Sequence, residues 1–165
     1  MRRVLLMCCT MAFGAPILAA QPAVQVQPPD LHGSRALEKQ TQAAVVRDYL
    51  ESWQKFSAAL DANQAALLDP DFVGTAREKL AATIDEQAKA GIHARYQDQV
   101  HNLQIVFYSP DGLSIQMIDN VEYDQQVFDH DKVLATQHVR TKYVVVLTPA
   151  EVRWKVRVFQ AETEQ

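Results

Sequence analysis

The segment 101–159, HNLQIVFYSPDGLSIQMIDNVEYDQQVFDHDKVLATQHVRTKYVVVLTPAEVRWKVRVF, decides the fold, because its reversals can be located and its apolar residues recur with a period of two. Ser109-Pro110-Asp111-Gly112 suits a type I turn followed by a glycine in the left-handed region. That turn predicts Phe107 opposite Ile115, Ile105 opposite Met117 and Leu103 opposite Asp119. A loop from Phe128 to Lys132 around Asp129-His130-Asp131 predicts Val127 opposite Val133, Val121 opposite Val139, Asp119 opposite Thr141 and Met117 opposite Tyr143. A turn at Pro149-Ala150 predicts Leu147 opposite Val152, Val145 opposite Trp154 and Tyr143 opposite Val156.

Residues directly opposite one another share a sheet face. Followed across all three hairpins, that rule gathers Leu103, Ile105, Phe107, Ile115, Met117, Tyr143, Val145, Leu147, Trp154, Val156 and Val158 on one apolar face. A slip by one residue would scatter them. The other face carries Arg140, Lys142, Arg153, Lys155 and Arg157 beside Val144, Val146 and Phe159. Arg and aromatic residues mixed with valine suit an interface. Charges on an exposed sheet face also suit plain solvent, so a solvated face is the first reading and a partner surface the alternative. Val144, Val146, Arg153, Lys155, Arg157 and Phe159 are the candidates for that surface, and a homodimer through this face is the assembly it would form.

Upstream, the period is helical. Val46, Tyr49, Leu50, Trp53, Phe56 and Leu60 recur at steps of three and four, predicting a long amphipathic helix that begins after Ser34. Asp61-Ala62-Asn63 interrupts it, and a short helical piece at 64–68 ends before Asp69-Pro70. Thr75 with Glu78 reads as a capping box for a third helix, which buries Leu80, Ile84 and Ala88 and stops at Gly91. Helices followed by strands argue an α+β layer structure with a curved antiparallel sheet.

Before the helices, residues 21–35 contain Pro22, Pro28 and Pro29 without periodicity and read as a disordered spacer. Residues 1–20 have the form of a signal peptide: Arg2 and Arg3, an uncharged apolar run from Val4, then Ala19-Ala20 as the expected cleavage site. The expected location is periplasmic or secreted, with an uncleaved inner-membrane anchor as the alternative. Both cysteines, Cys8 and Cys9, lie in that run, so the mature domain, 36–161, has neither a thiol nucleophile nor a zinc-thiolate site. Loss of the leader takes the net charge from −4 to −6, a poor balance for nucleic-acid binding.

A long helix carrying a Trp, a short helix ending in Asp69-Pro70-Asp71-Phe72, a third helix, and a bent sheet closing on Trp154-Lys155-Val156-Arg157-Val158 resemble the nuclear transport factor 2-like superfamily, which includes SnoaL-like and ketosteroid-isomerase-like proteins. The resemblance spans roughly Leu37 to Ala161. It implies a cystatin-like cone, with a sheet curled around the long helix, a pocket at the wide end and an outer face that pairs in dimers. Fold does not choose among the enzymes, carriers and assembly domains of that superfamily.

At one end of the apolar face the predicted register clusters His101, Asp119, Tyr123 and Thr141, with Tyr49 reaching in from the long helix. A carboxylate beside an imidazole is the minimum for acid–base chemistry. The sequence favours a non-catalytic cone that binds a small apolar ligand or a partner protein. Its alternatives are an isomerase, dehydratase or cyclase using His101 and Asp119, and a membrane-anchored assembly domain. No metal-ligand spacing or cofactor motif is present, so neither is expected.

Overall fold

The helix α1, Lys39–Ala62, is the axle of the structure, a computed structural model that describes residues 22–162. Its buried stripe, Val45, Tyr49, Trp53, Phe56 and Leu60, repeats at helical spacing and faces a five-stranded sheet in the order β1-β2-β3-β4-β5. The strands are β1 (Ala23–Val26), β2 (Ile92–Tyr108), β3 (Ile115–Asp129), β4 (Lys132–Pro149) and β5 (Trp154–Glu162). A 3-10 turn at Ala65–Leu68 and the helix α2, Gly74–Lys89, close the far side. This is the expected α+β architecture, and the leader at 1–20 lies outside the described residues.

The sheet bends because its ladders are broken by bulges, which kink a strand and raise its twist. Shifts occur between Gln97 and Val100, Ile105 and Phe107, Val127 and Phe128, and Val146 and Leu147. They also correct the predicted register. Ile105 faces Met117 and Leu103 faces Asp119 as expected, but the bulge at Val106 puts Tyr108, not Phe107, opposite Ile115. The β3–β4 loop is shorter than predicted, since Asp129 pairs with Lys132 and His130 turns the chain at φ 53°. Hence Asp119 faces Tyr143 rather than Thr141, and Met117 faces Val145. The β4–β5 loop is longer, so Leu147 faces Val156 and Val152 is 88% exposed.

Two further corrections concern the segments around the sheet. The supposed spacer is largely ordered: β1 pairs in parallel with β2, so the sheet is mixed rather than purely antiparallel. Gln27, Asp30 and His32 then donate backbone N–H groups to Leu103, Ile105 and Val106. The helix caps also differ. Helix α1 starts at Lys39, and Thr75 donates to the Arg157 carbonyl instead of capping α2. On α2 the buried positions are Ala76, Ala81 and Ile84, while Ala88 is exposed.

Candidate functional site

Tyr49 and Trp53 stand one turn apart on α1, so their side chains share the face turned to the sheet. The Trp53 indole donates to the Tyr49 hydroxyl at 2.6 Å, and that hydroxyl donates to Asp119 Oδ2 at 2.7 Å. His101 Nδ1 lies 2.8 Å from the same oxygen. Tyr49, His101 and Asp119 are all 0% exposed and Trp53 is 1% exposed. Among the described residues, His101 Nε2 and Asp119 Oδ1 are buried without a hydrogen-bond partner.

Aromatic rings fill the space around this chain of hydrogen bonds. Trp53 meets His101 edge-on at 5.1 Å between centroids and Tyr143 at 5.5 Å. Tyr96 stacks on Tyr123 and Tyr143 on Phe159, each pair at 4.4 Å. Of the five residues predicted to share a pocket, three are joined: Tyr49, His101 and Asp119. Tyr123 belongs to the neighbouring ring stack, and half-buried Thr141 sits opposite Val121 with Tyr143 in the place predicted for it. Trp53 and Tyr143 complete the cluster and were not singled out from the sequence. The four-residue step from Tyr49 to Trp53 was the available signal.

The interior therefore presents a carboxylate–imidazole–phenol assembly that is sealed. Acid–base work requires a substrate atom within hydrogen-bond reach of the acid or base, and in this conformation the chain's own rings surround the groups. Burial, then the nearby Asp119 charge, raises the Tyr49 pKa well above its ordinary value. Burial and then Tyr123 raise those of Tyr96 and Tyr143. An acid whose folded pKa is raised adds stability below its unfolded value, and that contribution is lost as pH rises through the folded one. Stability should accordingly hold up to about pH 10 and fall above it. Denaturant melts at stepped pH, paired with tyrosinate absorbance, check this. Ordinary titration of all five tyrosines in a still-folded domain would contradict it.

A second buried polar knot fixes the base of the domain. Asp48, 1% exposed, accepts the Trp154 backbone N–H at 2.8 Å and an Arg47 N–H at 2.8 Å. Arg153 pairs with buried Asp71 and, at 2.7 Å, with Glu51. Arg153 thus ties the β4–β5 loop to α1 and to the segment before α2, and leaves the predicted partner surface. Phe159 leaves it as well. The bulge at Arg157 reverses the facing of β5, so Phe159 turns inward onto Trp53, Phe56 and Phe72, while Val158 turns outward opposite Val146. Lys155, opposite Thr148, approaches the Asp69 carbonyl at 3.5 Å.

What remains on the outer face is ordered in rows across the strands. One row reads Gln104, Ile118, Val144, Gln160 and the next Phe107, Gln116, Val146, Val158. Neither contains a charge. The adjoining row, Asn102, Asn120, Lys142 and Glu162, restores charge, with Lys142 and Glu162 paired at 2.7 Å. Beside it lies an open polar groove of about 410 Å³ lined by residues including Gln25, Asn120 and Arg140. Among the described residues, no three His, Cys, Asp or Glu side chains gather as a metal site would require, and no helix is long and apolar enough to cross a membrane.

No protein-family model and no curated protein matches the sequence. Solved structures do match in fold. The intermembrane space region of the chloroplast protein ARC6 superimposes with a TM-score of 0.59 at 15% identity, over 79% of this chain and 100% of that one. A scytalone dehydratase-like protein from Novosphingobium aromaticivorans superimposes with a TM-score of 0.53 at 15% identity, over 78% of this chain and 89% of that one. The fold is that of the nuclear transport factor 2-like, SnoaL-like cone.

Proposed function

We propose that this chain is an exported, non-catalytic docking domain whose working surface is the uncharged centre of the outer sheet face. The observation that carries the reading is the pair of rows from Gln104 to Gln160 and from Phe107 to Val158, eight positions without one charged side chain. Depletion of charge around an apolar centre marks the core of protein–protein interfaces. Lys142 and Glu162 border it as a rim. The sealed interior supports a protein over a small apolar ligand, since Tyr49, Trp53, Tyr143 and Phe159 occupy the space that such a ligand needs. Export rests on the leader read in residues 1–20. The intermembrane space region of ARC6, which shares the fold, lies between two membranes and suits that placement.

A partner on this face, a second copy included, should be lost when Val144 and Val146 are both changed to Glu. Photocrosslinkers placed at Val144 and Val158 in the exported protein should trap a discrete protein adduct, and the double variant should abolish it. Crosslinking unaffected by the double variant would refute the face, and a stoichiometric small molecule carried by the purified domain would refute the docking role. One observation favours acid–base catalysis instead: His101 Nε2 is unpaired beside a carboxylate-bound ring, in a fold shared with a dehydratase-like protein. That reading requires the aromatic interior to open.

A further inference from the structure

The strand β1 forms one edge of the sheet, and its outer side is unpaired among the described residues. Backbone groups of successive strand residues point to alternate sides. The Gln27 N–H points to the Leu103 carbonyl of β2, so the groups of Gln25 also point inward and those of Val24 and Val26 point out to the free edge. The flanking prolines, Pro22 and Pro28, offer no N–H. The only outward donors of this segment are thus the N–H groups of Val24 and Val26, each beside the outward carbonyl of the same residue.

The sequence around them, Val24-Gln25-Val26, reads the same in both directions. We propose that β1 pairs antiparallel with β1 of a second copy, about a two-fold axis at Gln25. In that register Val24 of each copy lies opposite Val26 of the other, and each pair exchanges both N–H···O=C bonds, as the close pairs of an antiparallel ladder do. Every displayed partial positive charge meets a partial negative one. A register moved by two residues in either direction puts a proline against a valine and forfeits bonds. The pairing is therefore specified by the chain itself.

The side chains agree with the backbone. Val24 and Val26 share the inner face with His101 and Leu103, yet are 39% and 41% exposed. Val26 borders an open groove of about 550 Å³ whose floor is Ala43, Val46 and Leu50 of α1. Among the described residues, the apolar inner layer thus continues past β2 and ends uncovered at the free edge. A second copy, arriving edge to edge with its own Val24 and Val26 on the same side, extends that layer and covers it. The result is one continuous sheet that carries two outer faces side by side. The paired segment is short, so the dimer belongs to the weak, concentration-dependent class.

Sedimentation of the mature chain from residue 21 across a hundredfold concentration range tests this, with three variants. The wild type should move from monomer to dimer. Val24→Pro removes an outward N–H while sparing the bonds to β2, which an edge strand tolerates, and it should raise the dissociation constant at least tenfold. Val26→Lys, which charges the apolar layer, should do the same. Val144→Glu/Val146→Glu should leave this dimer unchanged. A wild type that stays monomeric, or a dimer that survives Val24→Pro in a domain with an unchanged melting temperature, overturns the proposal. A dimer lost only in the outer-face double variant overturns it too, and assigns self-association to the docking face instead.

Discussion

Trp53→Ala should bring the domain close to unfolding at ambient temperature. The ring is 1% exposed and meets Phe56, Tyr96, His101, Tyr123, Tyr143 and Phe159 with centroids 5.1–6.3 Å away. Truncating a core Trp to Ala costs about 3–5 kcal/mol through lost burial and the cavity left behind. Here the Tyr49 hydroxyl also loses its donor. Domains of this size hold about 5–15 kcal/mol in total, so the loss is a large fraction. Chemical denaturation of the purified variant measures it. A change below about 1 kcal/mol would mean that the ring is not clamped and that the cone has room for a guest.

Asp119→Ala should be nearly as damaging, for an electrostatic rather than a volumetric reason. It leaves the Tyr49 O–H without an acceptor, although its oxygen still accepts from Trp53, and leaves His101 Nδ1 without a partner; each buried group orphaned in this way costs about 1–3 kcal/mol. The expected loss is about 2–4 kcal/mol. Tyr49→Phe should therefore cost less in the Asp119→Ala background than in the wild type, with a coupling on the order of 1 kcal/mol. Additive effects would disconnect the three residues. The sign for Asp119→Asn separates the two functional readings. A structural carboxylate is destabilised by that change, whereas a catalytic one held at the expense of stability is often relieved by it.

The facing of most strand residues was legible because it depends only on parity. The β3–β4 pairing slipped by two residues and the start of the β4–β5 pairing by four, even numbers that leave each side chain on its predicted side. Gly112 at φ 78° and the Asp69-Pro70 stop announced themselves by local backbone chemistry. Bulges did not. Those at Val106 and Arg157 occur within ordinary β-forming sequence, without the glycine that marks some bulges, and they exchanged Phe107 for Tyr108 and turned Phe159 inward. The β1 strap was hidden because a parallel pairing across more than seventy residues leaves no local period to read.

His101 and Asp119 were placed together correctly by the first hairpin, where the register from Leu103 to His101 held. That they would be sealed was not legible. Sealing depends on Trp53 reaching across from α1 and on Tyr143 standing opposite Asp119, both consequences of tertiary packing. Arg153 illustrates the same limit. Its place in a Trp-Lys-Val-Arg-Val neighbourhood suggested a strand, but the longer loop frees it to meet Asp71 and Glu51.

The proposed docking role needs a closed interior. Hydrogen exchange of the Trp53 indole N–H reports on that closure, because that proton is held on the Tyr49 hydroxyl at the centre of the ring cluster. A Trp154→Phe variant assigns the resonance, since the chain has two tryptophans. A closed interior predicts exchange as slow as that of the slowest core amides, governed by global unfolding. Exchange at the rate of a solvent-exposed indole, in a domain that remains folded, would contradict the account and show that the cone opens to water.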